Sequence, residues 1–193
     1  MAYTEPEFPP LTLSLSDPSL LLADPDIDQD KNAMIEVYYD YCRKSSEALD
    51  LKDYMDMQCA CTAAEMSKIM DVGQVRKMFA NSRSGDFEYA RMMLLAYVPC
   101  MAKTAEQLTF DNCYDSTRNV KKKYTYKKMC QCTGKAMREH VLEKGQTYIP
   151  GFDRSSFKKS ESVNNPFGYM LTRKGYQRKY THELYVCRLD ATE

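Results

Sequence analysis

After residue 30, apolar residues recur at helical spacing through most of the chain. In KNAMIEVYYDYCRKSSEAL, Met34, Ile35, Tyr38, Tyr39 and Cys42 share one helical face, and Asp28 or Asp30 stands where an N-cap belongs. LDLKD interrupts the pattern. YMDMQCACTAAEMSKIMD resumes it, with Ala and Met favouring the helical state. VGQVRKMFANSRSGD reads as a short helical turn and a loop, and FEYARMMLLAYVPC as a strongly apolar helix stopped by Pro99. The second half repeats the series as AEQLTFDNCYDS, TYKKMCQCTGKAMREHVLEK, a loop and GYMLTRKGYQRKYTHELYVC, whose Gly168 and Gly175 weaken the last helix. The expected fold is all-α.

The repetition keeps a register of 71 residues. Cys42, Cys59 and Cys61 fall on Cys113, Cys130 and Cys132. Val37 meets Leu108, Tyr39 meets Phe110, Asp40 meets Asp111, Lys52 meets Lys123, Thr62 meets Thr133 and Met66 meets Met137. A fourth cysteine breaks the register: Cys100 lies 39 residues after Cys61, whereas Cys187 lies 55 after Cys132. The difference falls in YIPGFDRSSFKKSESVNNP, a loop insertion around 148–166. The expected organisation is an extended N-terminal arm over 1–30 and two tandem three-helix units, 31–104 and 105–193.

Helical residues two apart point about 200° apart, so the cysteines of one CxC face different neighbours. A helical hairpin turning near 50–51 sets Cys42 beside Cys59, and one turning near 121–122 sets Cys113 beside Cys130. Elimination leaves Cys61 for Cys100 and Cys132 for Cys187. Each bridge closes a loop worth roughly 3 kcal/mol in units whose cores are small.

The arm TEPEFPPLTLSLSDPSLLLADPDIDQD contains Pro9, Pro10, Pro18 and Pro25, which exclude a long helix. It gathers Leu11, Leu13, Leu15, Leu20, Leu21 and Leu22 in a short span. LTLSLS alternates as one strand does, and a lone strand needs a partner edge. The arm therefore reads as a segment that docks on another subunit or wraps its own bundle.

Eight cysteines at patterned spacing indicate a disulfide framework and an oxidising compartment, periplasmic or secreted. No cationic and apolar leader opens the chain, so the expectation is a signal peptide already removed. No run of about 18 apolar residues is present. Two rival chemistries compete for the CxC pairs. Thiolates with Met57, Met66, Met129 and Met137 are soft ligands for Cu(I), and a CxC dithiol can shuttle disulfides. Both leave the flanking cysteines unexplained. His140 lacks the second histidine of a metalloprotease helix, and His182 beside Glu183 has no nucleophile near it in sequence. Asp50, Asp53 and Asp56 share a helical face without the spacing of a calcium loop. No phosphate loop or nucleophile elbow occurs. The expectation is a protein without catalytic set or cofactor.

Net charge is zero but unevenly placed. Residues 1–30 hold seven acids and no Lys or Arg, residues 31–112 are near neutral, and residues 113–180 hold 16 basic and 5 acidic side chains. RNVKKKYTYKK places Lys121, Lys122 and Lys123 with Tyr124 and Tyr126 at the second hairpin tip, and RKGYQRK adds charge to the last helix. Such a tip is a solvated turn, a docking point for an acidic protein or the acidic arm, or a grip on a polyanion. Nucleic acid conflicts with the oxidising compartment.

Tyr39, Cys42, Cys59 and Cys61, with Phe110, Cys113, Cys130 and Cys132, form a pattern that resembles small helical, cysteine-paired domains of exported bacterial proteins, over about two thirds of the chain. The resemblance implies fold and compartment. The functional expectation is a non-catalytic structural or interaction component of a periplasmic or secreted assembly, such as a secretion-system or envelope complex, with other protein subunits as partners. The alternatives are a copper or thiol-redox protein using its CxC pairs and an envelope inhibitor of the immunity type.

Overall fold

The computed structural model describes residues 30–44, 51–79, 82–117, 123–148 and 166–191. Among them all regular structure is helical. Helix α1 (Lys31–Lys44) opens behind Asp30, whose Oδ1 accepts from Asn32 N at 2.8 Å. Helix α2 (Lys52–Ile69) ends where Lys31 Nζ donates to Ser67 O at 2.9 Å, a cation at the negative end of the helix dipole. Helix α3 (Val72–Phe79) starts with a reciprocal cap: Gln74 N donates to Asp71 Oδ1 and Asp71 N to Gln74 Oε1. Ser82 caps α4 (Arg83–Met92) by accepting from Gly85 N. A π turn (Met93–Tyr97) carries α4 into α5 (Val98–Thr117). Helix α6 (Lys123–Lys144) closes in a 3-10 turn (Gly145–Tyr148), and α7 (Pro166–Thr172) precedes α8 (Lys174–Asp190).

Three features depart from the periodicity reading. The stretch taken as a turn and loop contains the regular helix α3. The last helix is divided at Arg173, whose backbone is extended. Pro99 does not stop its helix. Proline lacks an N–H, and its ring collides with the carbonyl four residues back in a regular helix. The π turn lies immediately before it, and Val98 N reaches back to Met93 O, five residues rather than four. That widened turn lets the helix run from Arg83 through Pro99 to Thr117, roughly 50 Å. The expected unit boundary at 104/105 therefore falls inside α5, and Cys100 and Cys113 occupy one helix.

The long helices form a series in which each packs antiparallel on the next. Arg43 meets Asp56 and Lys31 meets Ser67 between α1 and α2. Ile69 O accepts from Arg91, and Tyr54 donates to Asp111, fixing α2 against the α4–α5 helix. Arg138 meets Glu106 between α6 and α5. At Gly134 a Cβ would lie 2.9 Å from Glu106 O, so α6 and α5 approach as closely as glycine allows. Helix α8 packs on α6, while α3 covers α4 and α7 lies against the 3-10 turn and α8.

One hydrophobic cluster runs through both halves. It joins Met34, Tyr38, Met55 and Met66 to Met93, Met101, Met137, Val141, Phe167 and Met170. Methionine's unbranched, polarisable side chain fills the uneven spaces where several helices of different length meet. A separate small cluster of Cys113, Met129, Cys130 and Cys187 lies at the far end of α5, α6 and α8. The arm, apart from Asp30, and most of the 148–166 insertion lie outside the described residues.

Candidate functional site

All eight cysteines are bridged, and no free thiol remains. The pairs are Cys42–Cys59, Cys61–Cys100, Cys113–Cys130 and Cys132–Cys187, with Cα separations of 5.7, 5.7, 5.4 and 5.7 Å. Each joins one consecutive pair in the helix series: α1 to α2, α2 to α5, α5 to α6, α6 to α8. These are the pairs that hairpin symmetry and elimination give. Within each CxC the two side chains leave their helix in opposite directions, as a 200° separation requires. The middle helix of each half is thereby held on both flanks.

The threonine and methionine that follow each CxC face inward. Thr62 and Thr133 are fully buried and turn their hydroxyls back to the carbonyls of Gln58 and Met129, both at 2.9 Å. Met66 and Met137 are also fully buried and belong to the common core. Around Thr62 the first half adds a buried polar chain. Gln58 Nε2 donates to Tyr97 O at 3.1 Å, Tyr38 is hydrogen-bonded to Thr62, and Tyr97 OH accepts from Phe167 N at 3.3 Å. Burial holds the Tyr38, Tyr89 and Tyr97 phenols well above their ordinary range. Burial, and then the bond to Asp111, pushes Tyr54 up to about 12.

Outside the bridges the two middle helices differ. The outer face of α2 carries Met57, Ala60 and Ala64, and the corresponding positions of α6 carry Lys128, Gln131 and Lys135, all exposed. The α4–α5 helix adds Phe87, Leu95 and Pro99 at four-residue and eight-residue intervals, with Phe87 51% and Leu95 53% exposed. Leu95 and Pro99 precede Cys100, and Ala60 and Ala64 stand on either side of Cys61, so these residues lie near the Cys61–Cys100 bridge, while Arg91 separates Phe87 from Leu95. The 71-residue register held the signal for the divergence of α2 and α6. The Phe87–Leu95 strip had none, because it depends on the helix continuing through Pro99.

The sequence-derived partner residues are mostly beyond description. Leu11, Leu13, Leu15, Leu20, Leu21, Leu22, Lys121 and Lys122 lie outside the described residues, as do the side chains of Lys123 and Tyr124. Tyr126 packs, half-buried, against the small far-end cluster. His140 sits between α6 and α8, its pKa lowered by burial and then by Lys179. A shallow, open recess on α8 is lined by Gln177, Arg178, Thr181, His182 and Tyr185. Among the described residues no group of three or more His, Cys, Asp or Glu converges as metal ligands do, and no helix is long and apolar enough to cross a membrane. Comparison of the chain with protein-family models, curated proteins and solved structures gave no match.

Proposed function

We propose that this chain is a non-catalytic, protein-binding component of a periplasmic or secreted assembly, such as a secretion-system or envelope complex. One observation carries the reading. Each consecutive pair in the series of long helices is cross-linked once, while the equivalent outer faces of α2 and α6 carry different chemistry. Four bridges fit an oxidising compartment and hold the faces of α2, α5 and α6 in fixed relation. Fixed faces lower the conformational cost of docking. Met57, Ala60, Ala64 and Leu95 suit an apolar partner surface, and Lys128 and Lys135 suit an acidic one. A soft-metal or dithiol activity needs thiolates, and both CxC pairs are held in bridges to other helices.

The test is isolation of the native complex from the envelope or secreted fraction, followed by reconstitution from purified components. Lys128→Glu with Lys135→Glu is expected to weaken binding about tenfold or more while helix content and bridges stay unchanged. A chain that sediments alone after gentle extraction overturns the proposal. So does stoichiometric copper retained with open CxC thiols.

A further inference from the structure

We infer that the outer face of α8 is a homodimer interface, on which a second copy of this chain packs its own α8 antiparallel about a twofold axis between Thr181 and His182. The inference goes beyond the assembly reading, whose charged surface lies on α6. Three observations support it.

The first is position. Helix α8 ends the cross-linked series, bridged to α6 by Cys132–Cys187 and packed on α6 and α7. Its buried residues are Tyr176 and Cys187. Lys174, Arg178, Thr181, His182, Tyr185 and Leu189 form a row on the opposite side, and all six are exposed. Tyr185, at 63%, is the most exposed large apolar side chain among the described residues, and Leu189 is 52% exposed. The row is about 22 Å long.

The second is spacing. The intervals along the row are four, three, one, three and four residues, the same read from either end. An antiparallel copy therefore matches it position for position: Lys174 with Leu189, Arg178 with Tyr185, Thr181 with His182, each contact made twice. The matched groups are complementary. The Arg178 guanidinium lies over the ring of the second copy's Tyr185. Lys174 lays its stem along Leu189 and brings its ammonium to the adjacent Asp190. Thr181 Oγ1, whose own proton goes to Gln177 O at 3.0 Å, accepts from a His182 N–H. The shallow recess lined by Gln177, Arg178, Thr181, His182 and Tyr185 receives the opposing ring.

The third is what selects this face and its occupant. Among the described residues Lys174 and Arg178 have no ion-pair partner, whereas the neighbouring Lys179 is paired with Glu183. Their charges are open to a second chain. Phe87 and Leu95 are comparably exposed, but Arg91 between them is held by Ile69 O and Glu88, so that face has no open charge to fix a register. An acidic partner would answer Lys174 and Arg178 and leave Tyr185 and Leu189 unmatched. A second copy answers both halves of the row. A single helix pair falls at the small end of interfaces, below about 1,200 Å², so the dimer is a weak one, with a Kd on the order of 10–100 μM.

The test is sedimentation equilibrium of the full chain from about 1 to 500 μM, a range that brackets that Kd. The unaltered chain is expected to pass from monomer to dimer. Arg178→Glu and Tyr185→Lys should each weaken the dimer about tenfold or more, with helix content and bridges unchanged. Mixing the two variant chains should restore dimers, because the antiparallel register sets the introduced acid of one opposite the introduced base of the other. Leu95→Asp should leave dimerisation as it was. A monomer at every concentration overturns the inference, as does a dimer indifferent to Arg178→Glu. A mixture no more dimeric than its components overturns it too, and so does a dimer lost in Leu95→Asp. The test of the assembly reading uses Lys128 and Lys135 on α6, so either can fail alone.

Discussion

Cys42–Cys59 and Cys113–Cys130 span the same sequence separation, 17 residues, and both join antiparallel helices. Their surroundings differ. Cys42 and Cys59 sit in the large methionine-rich core with Met34, Tyr38 and Met55. Cys113 and Cys130 are half of a four-residue cluster that holds Met129 and Cys187 as its other buried members. Equal loops give equal chain-entropy contributions, so the pair separates the cross-link from the packing around it. At the first site a bridge reinforces a core that already exists. At the second, the bridges are most of the core.

Removing the bridges one at a time should break the comparison most visibly. Cys113→Ala with Cys130→Ala is expected to cost about 4 kcal/mol, the loop contribution of about 3 plus lost packing. Amides at the start of α6 and the end of α8 should then exchange through local opening. Cys42→Ala with Cys59→Ala should cost about 3 kcal/mol in a urea melt and leave α1 protected. Equal local protection in both variants would mean that the far-end cluster is not the weaker region.

Next in size come Met66→Ala and Met137→Ala, at equivalent and fully buried positions. Each should cost about 3 kcal/mol. Because both side chains belong to one cluster, each variant should still unfold in a single transition, read by calorimetry. Two separated transitions would show that the halves have independent cores.

A smaller effect sharpens the contrast between α2 and α6. Gly134→Ala places a methyl against Glu106 O and should destabilise by about 1 kcal/mol despite alanine's higher helix propensity. Its counterpart is already Ala63, whose methyl packs against the core, and Ala63→Gly should also destabilise by about 1 kcal/mol, through backbone entropy and that lost contact. Crystal structures of the two variants would show a moved helix in the first and none in the second.

The smallest effect at neutral pH concerns the tyrosines. Tyr54 is raised from an unfolded value near 10 to about 12, and buried Tyr38, Tyr89 and Tyr97 are raised as well. Below pH 10 both states keep these protons and the contribution is complete. Above it the unfolded chain releases protons that the native state retains, so stability falls as pH rises towards 12. Tyr54→Phe should flatten part of that alkaline limb, measured by urea melts from pH 8 to pH 11.

Much of this was legible in the chain because the cysteines record helix neighbours. Cys42 and Cys59 are equidistant from one turn, and Cys113 and Cys130 from another, so pairing followed from hairpin symmetry. The all-α class followed from apolar spacing. Other features depend on tertiary packing. Pro99 signals a helix end, and the Met93–Tyr97 π turn that removes its clash is invisible to periodicity. Fusion of α4 with α5 then hides the unit boundary and creates the Phe87–Leu95 strip. Phe167 and Met170 fall after the loop insertion, so nothing in their spacing placed them in the same core as Met34.

The most direct test of the cross-linked helix series is non-reducing peptide mapping of the native protein by mass spectrometry, with thiol alkylation. The account predicts four linked peptide pairs, Cys42–Cys59, Cys61–Cys100, Cys113–Cys130 and Cys132–Cys187, and no alkylated cysteine. Alkylated Cys59 and Cys61, alkylated Cys130 and Cys132, or a bridge within either CxC would contradict it and make those pairs the reactive chemistry of the protein.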